Sequence, residues 1–225
     1  MGSLKLKIFV VLLFVVLIAI SSPYLLTISR FFNVDLSSCS NSDYHRNPFV
    51  PAPQKGKDHF PELKPGIFLW PKVPFHIAEP YSETGRPSVI TTGENPYFSC
   101  TLPLKAEPTR ALHLAVDGVW IGKQPARVAR LEIHYEDGSK TEKILVANED
   151  VWSYGHLLNR KDRIPKSRIL WQSPSGQKLT GVTIPLDRKK IPKQLEISAM
   201  PAGGIKGYVI GVSFFAITQE KAGGG

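Results

Sequence analysis

The sequence lacks the short motifs that identify common enzyme active sites. It contains no Gly-x-Ser-x-Gly elbow, and none of its six histidines forms a His-Glu-x-x-His or His-x-x-His pair. The elbow presents a serine nucleophile, and the histidine pairs place two metal ligands on one helix face. No glycine-rich phosphate loop precedes a helix. The sequence therefore gives no support for a serine hydrolase, a helix-borne zinc site or a phosphate-cradling loop.

Sustained helical periodicity is also missing. After residue 30, no segment keeps apolar residues at a 3.6-residue period, and no internal repeat is visible. This excludes helical bundles and helical solenoids for the main part of the chain.

Cysteine is scarce, with only Cys39 and Cys100. Neither has a histidine nearby in sequence that would make it a catalytic nucleophile. In an oxidising compartment a single disulfide is feasible, and it would close a loop of about 60 residues worth roughly 4 kcal/mol. Disulfide pairing and two free, buried thiols both remain open.

One long hydrophobic run is present, at the N-terminus. Residues 8–28 contain no charged side chain, and Lys5 and Lys7 precede them. A helix of this length crosses a bilayer, and the lysines favour a cytoplasmic N-terminus. We expect residues 1–30 to be a cytoplasmic stub and transmembrane signal-anchor, so that the C-terminal domain of a single-pass membrane protein lies outside the cytoplasm. Cleavage after Ser21 is the alternative, and it would secrete the domain.

Basic residues exceed acidic ones, 28 to 19, and part of the excess is clustered. One cluster contains Arg160, Lys161, Arg163, Lys166 and Arg168, and the other contains Arg188, Lys189, Lys190 and Lys193. The clusters are either solvated loops or a patch for an anionic partner, such as an acidic glycan or the membrane surface. Outside the cytoplasm we expect no nucleic acid partner.

The remaining chain divides at a change of pattern near residue 73. Residues 31–72 are rich in proline, which predicts an extended segment partly packed on the domain that follows. Short apolar runs separated by turn residues then predict a β-sandwich domain over 73–218, followed by a flexible tail over 219–225. The predicted strands are 73–78, 88–92, 97–104, 110–117, 127–136, 140–147, 168–173, 179–186, 193–200 and 207–218.

Two features of the predicted strands indicate more than strand position. Asp137–Gly138 separates two alternating runs, which predicts a hairpin with a tight primed turn. The last strand is apolar at nearly every position. Both of its faces should therefore be covered.

Several short segments follow one another in a recognisable order: Val34–Ser38 with Asn41, Leu63–Gly66, Val73–Ile77, Leu112–Ala115, Leu131–Ser139 and Trp152. This order resembles bacterial secreted modules of the galactose-binding-like, jelly-roll type, which often accompany extracellular glycoside hydrolase-type proteins. Ser153 and Tyr154 replace the aspartate and tryptophan that such modules carry after Trp152. The resemblance implies an all-β fold, an antiparallel two-layer β-sandwich, and the N-terminal hydrophobic run predicts one transmembrane helix before it. It implies function only by analogy.

Candidate ligand-binding residues are aromatic or polar and lie in turns. Tryptophan rings stack on the apolar faces of sugars, and polar side chains bond to hydroxyl groups. We select Trp120, Trp152, His156, Asn159 and Arg160 for this role. Core packing is the alternative for Trp152. Asn148, Glu149 and Asp150 are a weak calcium candidate, since hard cations prefer clustered oxygens; no other metal or cofactor is expected.

The leading hypothesis is a membrane-anchored, extracytoplasmic, non-catalytic module that binds carbohydrate or cell-envelope polysaccharide. The alternative is a structural domain that docks another envelope protein through the basic clusters. A glycoside hydrolase is a third option, because a pair of carboxylates assembles in space and not in sequence.

Overall fold

The structure is a computed structural model that describes residues 30–42, 60, 62–79, 88–92, 97–119, 127–147, 149–152, 165–174, 177–200 and 211–223. Within these ranges the chain forms twelve strands. They are β1 (Phe31–Asn33), β2 (Gly66–Trp70), β3 (Val73–Ile77), β4 (Ile90–Thr91), β5 (Ser99–Pro103), β6 (Thr109–Val119), β7 (Arg127–Tyr135), β8 (Lys140–Val146), β9 (Ile169–Gln172), β10 (Lys178–Pro185), β11 (Pro192–Ala199) and β12 (Gly211–Lys221). One turn of 3-10 helix, Lys166–Arg168, precedes β9.

The strands form antiparallel sheets. The larger sheet has the order β1-β12-β6-β10-β9, and β4 also pairs with β12. A four-stranded sheet has the order β5-β11-β7-β8, and β2 pairs with β3 as a separate hairpin. The protein is therefore all-β, with the sheet architecture of a β-sandwich.

The main core lies between the larger sheet and the four-stranded sheet. Leu114 and Phe214 of the larger sheet pack in one cluster with Leu131 and Ile197 of the four-stranded sheet. Alternate positions on each strand point to opposite faces, so each sheet contributes every second residue to this layer.

The opposite face of the larger sheet is covered as well. Ala115 and Phe215 pack with Phe75 of the β2–β3 hairpin, and Phe60 and Leu63 complete this second cluster. The Thr218 hydroxyl donates a hydrogen bond to the Pro74 carbonyl at 2.7 Å. Because a layer lies on each side, ten consecutive residues of β12 are buried. The prediction that both faces of the last strand are covered is confirmed.

All ten predicted strands are present, as β3 to β12, with ends that differ by a few residues. The predicted boundaries of the segment 31–72 and of the tail 219–225 need correction. Residues 31–33 and 66–70 form the strands β1 and β2, and the division at residue 73 cuts the β2–β3 hairpin. Gln219 and Glu220 are buried within β12, so they do not belong to a flexible tail.

The hairpin at Asp137–Gly138 exists, but its turn differs from the predicted one. The Tyr135 amide donates to the Ser139 carbonyl at 3.0 Å, which leaves three residues in the loop. Gly138 has a φ of 79°. Three-residue hairpin loops commonly place glycine in this left-handed conformation, where a primed turn would need only two residues.

The predicted anchor, residues 1–30, lies almost entirely outside the described ranges. Within those ranges, no helix is long and apolar enough to span a membrane.

Candidate functional site

A groove of about 570 Å³ opens beside β12, the C-terminal strand of the larger sheet. One wall is the segment after β1, another is the end of β3, and residues of β12 form part of the floor. Its lining comprises Asn33, Val34, Asp35, Leu36, Ser37, Ser40, His76, Ala78, Glu79, Ser88, Phe215, Ala216 and Ile217. The volume is within the usual range for small-molecule sites, and an apolar surface with a few polar groups is their usual composition.

The wall after β1 is held by one backbone hydrogen bond to β12 and by side-chain hydrogen bonds within its own segment. The Val34 amide donates to Ile217 O at 2.9 Å, which fixes this wall to β12. The Ser40 hydroxyl donates to the Leu36 carbonyl at 2.9 Å, and the Ser37 amide donates to Asp35 Oδ1 at 2.9 Å. An aspartate that accepts a bond from the amide two residues later stabilises a tight turn. The groove wall is thus a braced loop.

The same loop is attached at its far end. The Asn41 side chain accepts a hydrogen bond from the Thr91 amide and donates one to the Thr91 carbonyl, both at 2.8 Å. Ser42 and Val89 exchange two backbone hydrogen bonds. The side-chain amide of Asn41 therefore occupies the place of a strand partner for β4, and the loop is anchored on both sides of the groove residues.

The groove carries acidic groups. Asp35 and Glu79 are both exposed at its lining, together with His76. Hydrogen bonds from the Ser37 amide and hydroxyl lower the pKa of Asp35 below its usual value. Asp35 therefore remains an ionised hydrogen-bond acceptor at neutral pH. This charge disfavours anions and suits ligands that donate hydrogen bonds.

Of the selected ligand-binding residues, Trp152 is the one that the structure describes. It lies after β8 and is only 8% exposed. Its amide donates to the Thr180 hydroxyl at 3.0 Å, its carbonyl accepts from the Gly118 amide, and the Lys178 ammonium lies 5.8 Å from the centre of its ring. This placement favours the packing alternative over sugar stacking. Trp120, His156, Asn159 and Arg160 lie outside the described residues.

The basic clusters are described only in part. Lys166, Arg188 and Lys189 are exposed, while Arg160, Lys161 and Arg163 lie outside the described ranges. Arg168 donates to the Glu149 carbonyl at 2.8 Å. Lys190 bonds the Ser139 hydroxyl at 2.6 Å and lies 5.4 Å from the centre of the Tyr135 ring. Arg168 and Lys190 therefore take part in internal contacts, and the clusters are not uniformly free surface.

In the calcium candidate, the Asp150 carboxylate contacts the basic side chains of Lys143 and Arg168. Both carboxylate oxygens of Asp150 lie 2.9 Å from Lys143 Nζ, and Oδ2 also accepts the Val146 amide at 3.1 Å. Arg168 Nη1 lies 3.7 Å from Asp150 Oδ1. These donors compete with a calcium ion for the same oxygens, so the contacts favour a structural role for Asp150. Asn148 lies outside the described residues.

The two cysteines meet between the segment that follows β1, which contains Cys39, and β5, which contains Cys100. Both are free thiols, and the Cys39 sulfur lies 3.5 Å from the Thr101 carbonyl. Burial raises the pKa of the Cys100 thiol, and its contact with the Cys39 thiol raises it further. The thiols are thus neighbours, although the structure contains no disulfide.

Sequence reasoning missed the groove although it singled out the segments that line it. The matched segments Val34–Ser38 and Val73–Ile77 supply two of the walls. Each segment was recognisable alone, but more than 30 residues separate them. Their meeting on β12 depends on the pairing of β1 with β12 and on the packing of the β2–β3 hairpin against it, which no local pattern reveals.

Comparison with known proteins assigns no family to the chain. No protein-family model and no curated protein matches its sequence.

Proposed function

We propose that this protein is a non-catalytic carbohydrate-binding module of galactose-binding-like, jelly-roll type, attached to a membrane by residues 1–30 and exposed outside the cytoplasm. The supporting observation is the braced groove beside β12. It combines an apolar floor with hydrogen-bonding groups at its walls. Such a surface fits a sugar, which has apolar C–H faces and a rim of hydroxyl groups.

The charge of the groove narrows the ligand class. Carboxylates accept hydrogen bonds from sugar hydroxyls, and Asp35 and Glu79 both line the groove. Carboxylates repel uronic acids and phosphorylated polymers, so the groove favours neutral sugars. This differs from an acidic glycan held by the basic clusters, which is the other ligand class that the sequence analysis raised.

A glycan array with the full-length chain in detergent tests this proposal. We expect binding to particular neutral sugars that persists at high salt, because neutral ligands lack a screened charge–charge attraction. Binding that disappears at high salt would instead indicate an anionic polymer and the basic clusters. No binding under either condition would contradict the carbohydrate proposal.

Protein docking is the second candidate, and one observation favours it. Ile67 and Leu69 on β2 are 70% and 54% exposed. Because they are two residues apart on a strand, they point to the same side and form an apolar strip. Exposed apolar surface of this kind is typical of contact sites for other proteins.

The two candidates make different predictions for the same variant. Replacement of Ile67 and Leu69 by serine removes the apolar strip and leaves the groove intact. If docking is the function, the variant loses co-purification with membrane partners that the wild-type chain retains. If carbohydrate binding is the function, its glycan profile equals that of the wild type.

A further inference from the structure

The outer face of the four-stranded sheet carries an unusual row of acidic side chains. Glu132 on β7 lies directly opposite Glu196 on β11 and, on its other side, opposite Glu142 on β8. Like charges directly opposite each other on neighbouring strands are destabilising. The sheet therefore gathers three carboxylates in one place, and the Lys140 ammonium pairs with one of them, Glu132, at 2.6 Å.

Three side chains of this face converge. The nearest ligand atoms of Glu132, His134 and Glu196 all lie within 4.8 Å of one another. His134 is two residues after Glu132 on β7, so both point to the same side of the sheet. The distance from His134 Nε2 to Glu196 Oε2 is 3.6 Å.

The imidazole nitrogen that faces this centre makes no hydrogen bond, and its contact with Glu196 Oε2 is a 3.6 Å charge contact when the ring is protonated. His134 Nε2 is buried and has no hydrogen-bond partner among the described residues. A buried polar atom without a partner carries a free-energy cost. The nitrogen lies beside carboxylate oxygens, where a metal ion would accept its lone pair and neutralise the acids together.

Glu196 is already oriented for this role. Its Oε1 accepts hydrogen bonds from the Ser99 hydroxyl at 3.1 Å and from the Ser198 hydroxyl at 3.3 Å. These bonds leave Oε2 directed toward His134. Outer hydrogen bonds of this kind fix the orientation of ligating carboxylates in metal sites.

We propose that Glu132, His134 and Glu196 form a binding site for a divalent transition-metal ion on the outer face of the four-stranded sheet. Ligand atoms bound tetrahedrally to zinc stand about 3.4 Å apart, from a bond length near 2.1 Å. The observed separations need only small side-chain rotations to reach this value. One imidazole and two carboxylates suit zinc and its neighbours better than calcium, which prefers an all-oxygen shell.

Lys140 is the competing cation. Its ammonium lies 2.6 Å from Glu132 Oε1. The ammonium also repels a metal ion, so removal of this charge should strengthen binding.

Calorimetric titration of zinc into the metal-stripped, full-length chain in detergent tests the site. We expect one zinc ion per chain, and at least tenfold weaker binding for Glu196→Gln and for His134→Asn. Glu196→Gln keeps a carbonyl oxygen that accepts the serine bonds, so it remains a fair test if His134→Asn does not fold. Glu142→Gln removes an acid from the same face but not from the cluster, and it should change the affinity less than twofold.

Two further measurements separate this site from others on the chain. Lys140→Met should bind zinc severalfold more tightly, and unchanged or weaker binding would contradict Glu132 as a ligand. Cobalt(II) should give the visible absorption of a tetrahedral centre in the wild type and lose it in Glu196→Gln. Absent zinc binding, or binding of wild-type strength in both ligand variants, would overturn the proposal.

Discussion

The indole of Trp70 occupies the space where Gly181 has no side chain. A Cβ built on Gly181 would lie 2.5 Å from ring atoms of Trp70. Trp70 ends β2 and Gly181 lies within β10, so this contact attaches the β2–β3 hairpin to the larger sheet. The ring also packs on Phe75, with centroids 6.3 Å apart. Glycine at position 181 is thus required by close packing.

Gly181→Ala should destabilise the protein by about 1–3 kcal/mol, because the added methyl group forces the ring to move within a packed cluster. Thermal unfolding measures the loss. The matched control is Gly223→Ala, where a Cβ would meet nothing within 4 Å and should leave the stability unchanged. Adding Trp70→Phe to Gly181→Ala should recover part of the loss. Equal stability of Gly181→Ala and the wild type would contradict the contact.

The burial of His113 predicts that the stability of the protein depends on pH. Its ring is buried on β6, with Nε2 3.2 Å from Glu220 Oε2 and Nδ1 3.0 Å from the Thr183 hydroxyl. Burial lowers its pKa, the Glu220 carboxylate partly offsets this, and nearby Arg110 lowers it further. The folded state thus binds the proton at a lower pH than the unfolded chain, whose histidines titrate near pH 6.5.

The lowered pKa of His113 makes the folded state less stable as pH falls. As pH falls from about 7 toward the folded-state pKa, the unfolded chain gains a proton first, and the free energy of unfolding decreases. Denaturant titrations across this range should show the decrease. His113→Gln should flatten the slope, whatever its absolute stability. The acids with lowered pKa values, Asp35, Glu132 and Asp137, act only at lower pH. An unchanged slope in His113→Gln would contradict the prediction.

The neighbouring thiols predict a disulfide under oxidising conditions. Oxidation of the full-length chain with glutathione disulfide should join Cys39 to Cys100 and raise the free energy of unfolding by about 4 kcal/mol in the chain-entropy model. Mass spectrometry detects the loss of two hydrogens, and chemical unfolding measures the gain. Because the thiolate is the attacking form and the pKa of Cys100 is raised, the reaction should accelerate as pH rises.

Cys100→Ser is the control for the thiol pair. It should form no intrachain disulfide and show no stability gain after the same treatment. A wild-type chain that keeps both thiols under prolonged oxidation, or loses stability when they join, would contradict the prediction.

Alternation of apolar and polar residues predicted β3 to β12, because most of these strands have one face on a core. β1 and β2 were not predicted. β1 has only three residues, and β2 lies between Pro65 and Pro71 in a segment that we interpreted as extended. The prolines instead flank the strand, where the missing amide donor costs little.

The candidate sites were less predictable than the strands. Glu132 and His134 show the alternation that puts two side chains on one face, but Glu196 is more than 60 residues away. Their proximity depends on the pairing of β7 with β11. Asp35 and His76 meet at the groove for a similar reason, because β1 pairs with β12 while β3 packs against the face of β12. A single sequence contains the residues but not these pairings.

Glycan-array binding by groove variants tests the central claim, that neutral sugars bind beside β12. Asp35→Asn keeps an oxygen that can accept the Ser37 amide, and Glu79→Gln keeps the side-chain shape. Both should bind array sugars at least tenfold more weakly than the wild type, with unchanged melting temperatures. The control is Glu136→Gln, an exposed acid in the β7–β8 turn, which should bind like the wild type. Wild-type glycan profiles in both groove variants would contradict the account.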